Sequence, residues 1–220
     1  PCSRAGCWRS STPSSGFEAL LEEGTVYDES SLRFYLRIWL LESVARCDGA
    51  AVALTHRYLE QNRLKPLVEL SEILTAIKYS KGSYKSSVMV GKATYNSIRD
   101  SFSELGGQLE SCMGLEAAQG LERHHAIVWG MATSFYGLEI KDAVAAYLFS
   151  TYSGVLEVVA RLIPLGQRDT QEILATSYAD LLKSLNLSMS LEPDQLSSQS
   201  AIQDLAVMRH ERLPVKLCIT

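Results

Sequence analysis

The chain has 220 residues, of which 46% are hydrophobic and 21% charged, with a formal net charge of −4. This is enough apolar material for one sizeable core, and the mildly acidic balance lacks the concentrated basic face that nucleic-acid binding needs. Five cysteines (Cys2, Cys7, Cys47, Cys112 and Cys218) are odd in number and scattered, which argues against a secreted disulfide framework and for free thiols in a reducing, cytosolic compartment.

Residues 1–15 are small and polar, start without Met and carry no apolar run of a signal peptide. They are expected to be an irregular, truncated or misassigned start. Helical periodicity then takes over. Leu32, Tyr35, Leu36, Trp39, Leu40 and Val44 follow the i, i+3, i+4, i+7 pattern, with Asp28 as N-cap and Asp48-Gly49 as a stop. A second helix is predicted over Ala50–Gln61. A third starts near Pro66, a residue favoured in a first turn, and carries Leu67, Leu70, Ile73, Leu74 and Ile77. Gly82 and Ser83 are read as a break, followed by a fourth helix to about Phe102. Gly106-Gly107 opens a weaker region, expected to hold a short helix and loops through residue 121.

His125 to Tyr136 reads as a helix ending at Gly137. Glu139 to Ile163 is a long apolar helix that Pro164 and Gly166 stop. Asp169 is read as the cap of the next helix, with Ile173, Leu174, Tyr178, Leu181, Leu182 and Leu185. Residues 188–200 are expected to be a polar linker to a last helix near 201–209. The tail, 210–220, has Pro214 and β-branched residues and is expected to be non-helical. No alternating run supports a sheet, and no period of 20–50 residues repeats. The pattern predicts an all-α, single-domain bundle of roughly eight to ten helices over 16–209, with 210–220 as a docking tail.

The segment Ala143–Ile163 has the length of a membrane span, but Glu157 and Arg161 fall inside it. Each costs about 2.5–3.5 kcal/mol at the centre of a bilayer, so a soluble helix fits better. Ser150, Ser153, Glu157 and Arg161 form a polar stripe at spacings of three and four on an otherwise apolar helix, which is expected to be buried on several sides. Two readings remain open: a core helix with an internally paired Glu157–Arg161, or a helix partly covered by another protein chain.

Chemistry-bearing patterns are absent. His56, His124, His125 and His210 are not spaced as a converging metal set, and adjacent His124-His125 point apart on a helix. They read as capping or hydrogen-bonded histidines. No phosphate loop, dinucleotide fingerprint or nucleophile elbow occurs, and no acidic pair is singled out for acid–base work. The residues predict a non-enzymatic protein without catalytic residues, bound metal or cofactor.

Ala146-Tyr147-Leu148-Phe149-Ser150, Ser153, Arg161-Leu162-Ile163-Pro164-Leu165-Gly166-Gln167 and Gln171 resemble the A-Y-L-F-x-x-x-S and R-L-x-P-L-G-Q-x-x-x-Q pattern of the UreF family of urease accessory proteins. Other features agree in order. His125 with Gly130 resembles its H-x-x-x-x-G, and Ser87 with Gly91 its S-x-x-x-G. Gly16-Phe17-Glu18, Gly24 and Val26 resemble its G-L-E start. His210, Leu213 and Lys216-Leu217 resemble its H-x-x-L-x-x-R-L tail. The chain departs from the family before Gly16, where Ser11-Thr12-Pro13-Ser14 retains only Ser14 of P-x-G-x-[FY]-x-H-S. It departs again at Gly154 (Asn in the family), Thr170 (Gly), Lys216 (Arg), Cys218 (aromatic) and Thr220 (Ser).

The resemblance implies a cytoplasmic scaffold that binds a UreD/UreH-type accessory protein, dimerises within that complex and recruits the UreG GTPase, so that nickel is inserted into apo-urease. Nickel and GTP then belong to partners. Interface or motif residues implied are Ser14, Gly16, Glu18, His125, Tyr147, Ser153, Glu157, Arg161, Pro164, Gly166, Gln167, Gln171, His210 and Lys216. Two alternatives stand beside this reading. One is an all-helical small-molecule enzyme with a bundle pocket near Glu157; the other is a GTPase-regulating module that uses Arg161 or Lys216 as a charge-stabilising finger.

Overall fold

The computed structural model describes residues 14–115, 118–163, 165–198 and 200–210. Among them the fold is all-α, with no strand. Helices α1 (Phe17–Glu22) and α2 (Glu29–Trp39) come first. Asp28 caps α2 as its sequence predicts: its Oδ1 accepts from the Ser31 amide at 2.8 Å, and the Ser31 hydroxyl answers the Asp28 amide at 3.1 Å.

The expected stop at Asp48-Gly49 does not occur. The helix continues through a π-helical segment, Leu40–Gly49, into α3 (Ala50–Glu60), and Gly49 keeps helical dihedrals. Gly49 is there for packing. A Cβ on it would lie 2.3 Å from Ser188 Oγ and 3.1 Å from Leu148 Cδ2, so its absence lets two neighbouring helices close in. The Ala45 carbonyl of the π segment, which accepts from the Ala50 amide, also accepts from the Ser188 hydroxyl at 2.9 Å.

Next come α4 (Lys65–Ile77), with Pro66 in its first turn, and α5 (Lys81–Ser101). The break lies at Lys78–Tyr79 rather than at Gly82-Ser83. Ser80 caps α5, accepting from the Ser83 amide at 3.0 Å, and Gly82 falls inside the first turn. Gly106-Gly107 also sits inside a helix, α6 (Ser103–Met113), because Gly106 packs on the Arg99 backbone, whose Cα would be 2.7 Å from a Cβ. Helix α7 (His125–Phe135) ends as expected at Gly137, with φ +84°.

Helix α8 (Ile140–Leu162) follows, then α9 (Gln167–Thr176), α10 (Tyr178–Ser190) and α11 (Ala201–His210). Asp169 is not the cap of α9. It sits in the first turn, and its Oδ2 accepts from the Gly166 amide at 3.1 Å. The single helix expected across 169–185 is divided at Ser177, whose hydroxyl bonds back to the Ile173 carbonyl at 2.7 Å and meets Tyr152 Oη at 2.5 Å. The supposed linker is tied down: α10 runs to Ser190, a 3₁₀ turn spans Pro193–Gln195, and Leu191 and Leu196 are buried. Residues 1–13, Glu116, Ala117, Pro164, Gln199 and the tail after His210, with Lys216 and Cys218, lie outside the described residues.

The core centres on α3, not α8. Ala50 through His56 are all buried, and α3 packs against α4, α7, α8, α10 and the π segment. Small residues make this close packing possible. Gly130 of α7 approaches Thr55, with 2.8 Å from a virtual Cβ to the threonine Cβ. Helix α8 buries one broad face (Val144, Tyr147, Leu148, Tyr152, Val155 and Val159 among others) and leaves its polar stripe open rather than being enclosed on several sides. By length and hydropathy α8 alone among the described helices would pass for a membrane span, yet half of its most apolar window is buried inside the protein.

Candidate partner interface

A groove of about 770 Å³ runs between α5 and α8, with the π segment beneath it. Helix α5 lines it with Ser83, Ser86, Val90, Thr94 and Ser97, spaced three and four apart on one face. The polar stripe of α8 supplies Ser150, Ser153 and Glu157, and α11 contributes Gln203, Asp204 and Val207. At the floor Lys78 Nζ meets Asp48 Oδ1 at 3.0 Å, with side chains only 11% and 18% exposed. Burial alone would lower the Lys78 pKa, but the Asp48 carboxylate and adjacent Cys47 outweigh it and hold the ammonium charged above its ordinary range. Burial pushes the Cys47 thiol up to about 12 against the opposing charge of Lys78, which makes it an unreactive core thiol. Burial likewise raises the Asp204 carboxyl, with Lys78 opposing.

The groove ends on an aromatic cluster. His125 and Tyr147 are brought together, ring centroids 5.1 Å apart, with Trp129 at 6.2 and 6.0 Å from them. Tyr147 is 4% exposed, so it packs the core and does not present an anchor to a partner. Burial takes the His125 imidazole down to about 4 and that of His124 to about 4, Lys78 adding to the effect at His124. His124 is a satisfied interior histidine, with Nδ1 3.0 Å from Ser87 Oγ and Nε2 3.0 Å from Thr75 Oγ1. Gly91, one turn after Ser87, lets α5 touch the chain entering α7: a Cβ there would be 2.0 Å from the Arg123 carbonyl oxygen. Among the described residues no group of three His, Cys, Asp or Glu side chains converges to hold a metal ion.

The first and last of the described helices meet. His210 Nε2 donates to Glu18 Oε2 at 2.6 Å, and both side chains are buried. Gly16, at φ +86°, brings α1 onto α11, its virtual Cβ 3.0 Å from the Val207 amide nitrogen. Ser14, two residues before Gly16, is fully buried.

The α8–α9 corner is different in kind, since Glu157, Arg161, Gly166, Gln167 and Gln171 are all exposed. No ion pair joins Glu157 to Arg161 among the described residues, so the internally paired reading of the stripe falls away. Ser153, half-buried, donates to the Ser150 carbonyl at 3.2 Å. A feature that sequence periodicity missed lies next to the stripe. Phe149, 40% exposed, stacks on Tyr178, 52% exposed, with centroids 6.4 Å apart and planes within 5°. In the sequence both read as ordinary apolar helix positions. Only the placement of Tyr178 at the start of α10 brings the rings together.

A family model for UreF matches residues 26–178, from just after α1 through the corner to the start of α10. The chain belongs to the UreF family. Relatives named urease accessory protein UreF agree with this along nearly the whole length. The protein of Geobacillus kaustophilus (strain HTA426) is 27% identical over 204 residues, covering 92% of this chain and 87% of the relative. That of Bradyrhizobium sp. (strain ORS 278) is 28% identical over 90% of this chain and 80% of the relative. That of Sporosarcina pasteurii is 24% identical over 92% of this chain and all of the relative. In this UreF chain, Gly91, Gly130 and Tyr147 are interior packing residues, and His125 is half-buried where it lines the groove. Arg161, Gln167 and Gln171 are surface residues.

Proposed function

We propose that this UreF chain is a non-enzymatic, cytoplasmic scaffold of urease maturation. It binds a UreD/UreH-type protein, dimerises within that complex and recruits a UreG GTPase that serves nickel insertion into apo-urease. Residues 16–209 are its body and 210–220 its docking tail. The observation that carries the reading is a polar, exposed α8–α9 corner (Arg161, Gln167, Gln171) together with an exposed stacked aromatic pair, Phe149 and Tyr178, about three turns back along α8. Aromatic anchors ringed by polar and charged groups are what protein interfaces favour. The small-molecule enzyme reading loses its support, because Glu157 stands exposed at the groove rim instead of enclosed in an apolar pocket.

Co-expression with the UreD-type and UreG proteins of the same genome is the test. A stable complex of all three on gel filtration is expected, and a chain that stays alone with both partners present would sink the reading. Arg161 is exposed and unpaired among the described residues, which keeps a GTPase-regulating role testable as well. UreG hydrolysis that is equally fast with the intact chain and with Arg161→Ala would remove that role.

A further inference from the structure

We draw no further inference here: the strongest candidate, the groove between α5 and α8 floored by Lys78 and Asp48, carries nothing, because its walls are mainly stripes of small polar residues and nothing in the structure shows what covers it.

Discussion

The interior glycines carry the sharpest expectation. In Gly91→Ala the added methyl would stand 2.0 Å from the Arg123 carbonyl oxygen, 2.8 Å from the His125 amide nitrogen and 2.9 Å from the His124 carbonyl carbon. All three are backbone atoms, so no side chain can swing aside, and α5 must move away from the start of α7. That movement also stretches the Ser87–His124 hydrogen bond one turn earlier. Overpacking of this kind costs about 1–3 kcal/mol and sometimes more, and three fixed obstacles place Gly91 at or above the top of that range. Alanine returns about 1 kcal/mol of helix propensity, leaving a net loss of about 2–3 kcal/mol. In a domain of this size each kcal/mol moves the melting temperature by about 2–4 °C, so a fall of about 4–12 °C is expected by calorimetry. Gly107→Ala is the matched control. It lies inside α6 with nothing within 4 Å of a new Cβ, and should gain about 0.5–1 kcal/mol. If Gly91→Ala melts with or above the parent, the close approach of α5 to α7 is wrong.

Three further outcomes follow from the buried histidines, the Asp48–Lys78 pair and the exposed aromatic pair. His124 and His125 have folded-state pKa values near 4 against an ordinary 6.5, so the unfolded chain binds more protons in between. The stability this confers is complete above pH 6.5 and is lost as the pH falls towards 4; the urea midpoint should be lower at pH 5 than at pH 7.5, and equal midpoints would contradict it. Asp48→Asn leaves the buried Lys78 ammonium without its carboxylate and should cost about 3–5 kcal/mol in urea unfolding, most of it recovered by adding Lys78→Met. A single variant no worse than the double would show that the pair is uncoupled. Phe149→Ser and Tyr178→Ser remove exposed rings, so each should change stability by less than about 1 kcal/mol while weakening partner binding by about 2 kcal/mol or more, read by titration calorimetry. Unchanged affinity in both would move the docking face elsewhere.

Periodicity found most of the helices, because an apolar stripe at 3.6 residues is a local signal that survives without knowledge of the fold. What misled it were glycines and small polar residues, whose meaning depends on a neighbour elsewhere in the chain. Gly49 and Gly106 read as breakers, yet Ser188 and the Arg99 backbone occupy the space that a Cβ would take. Ser177 read as one more helix position, yet its hydroxyl bonds to Tyr152 and Ile173 at the break between α9 and α10. The same blindness affects the site. The spacing of Ser150, Ser153 and Glu157 showed a polar stripe, but nothing in α8 shows that α5 faces it with serines across a groove. Likewise, Glu18 and His210 are separate motif residues in the sequence, and only the fold joins them.

Among the described residues the departures from the family pattern, Gly154 and Thr170, lie on the groove and the α8–α9 corner, beside kept residues such as Ser153 and Gln171, and none falls in the packed interior. Gly91 and Gly130 are kept, and each fills a place where backbone or a threonine leaves no room for a methyl group. Gly154, where the family has Asn, lines the groove, so the side chain it lacks is one that an occupant of the groove would meet. Thr170, where the family has Gly, sits in the α8–α9 corner and is accommodated locally, its hydroxyl donating to the Gly166 carbonyl at 3.1 Å in the first turn of α9. A substitution in the packed interior must be repaired by moving helices, whereas one on the groove or corner alters only what a partner meets. The fold can therefore stay that of UreF while its groove and corner change. The physical consequence is that fold stability and partner affinity in this chain should respond to separate sets of residues: the glycines and the Asp48–Lys78 pair for the first, and the α8–α9 corner with Phe149 and Tyr178 for the second.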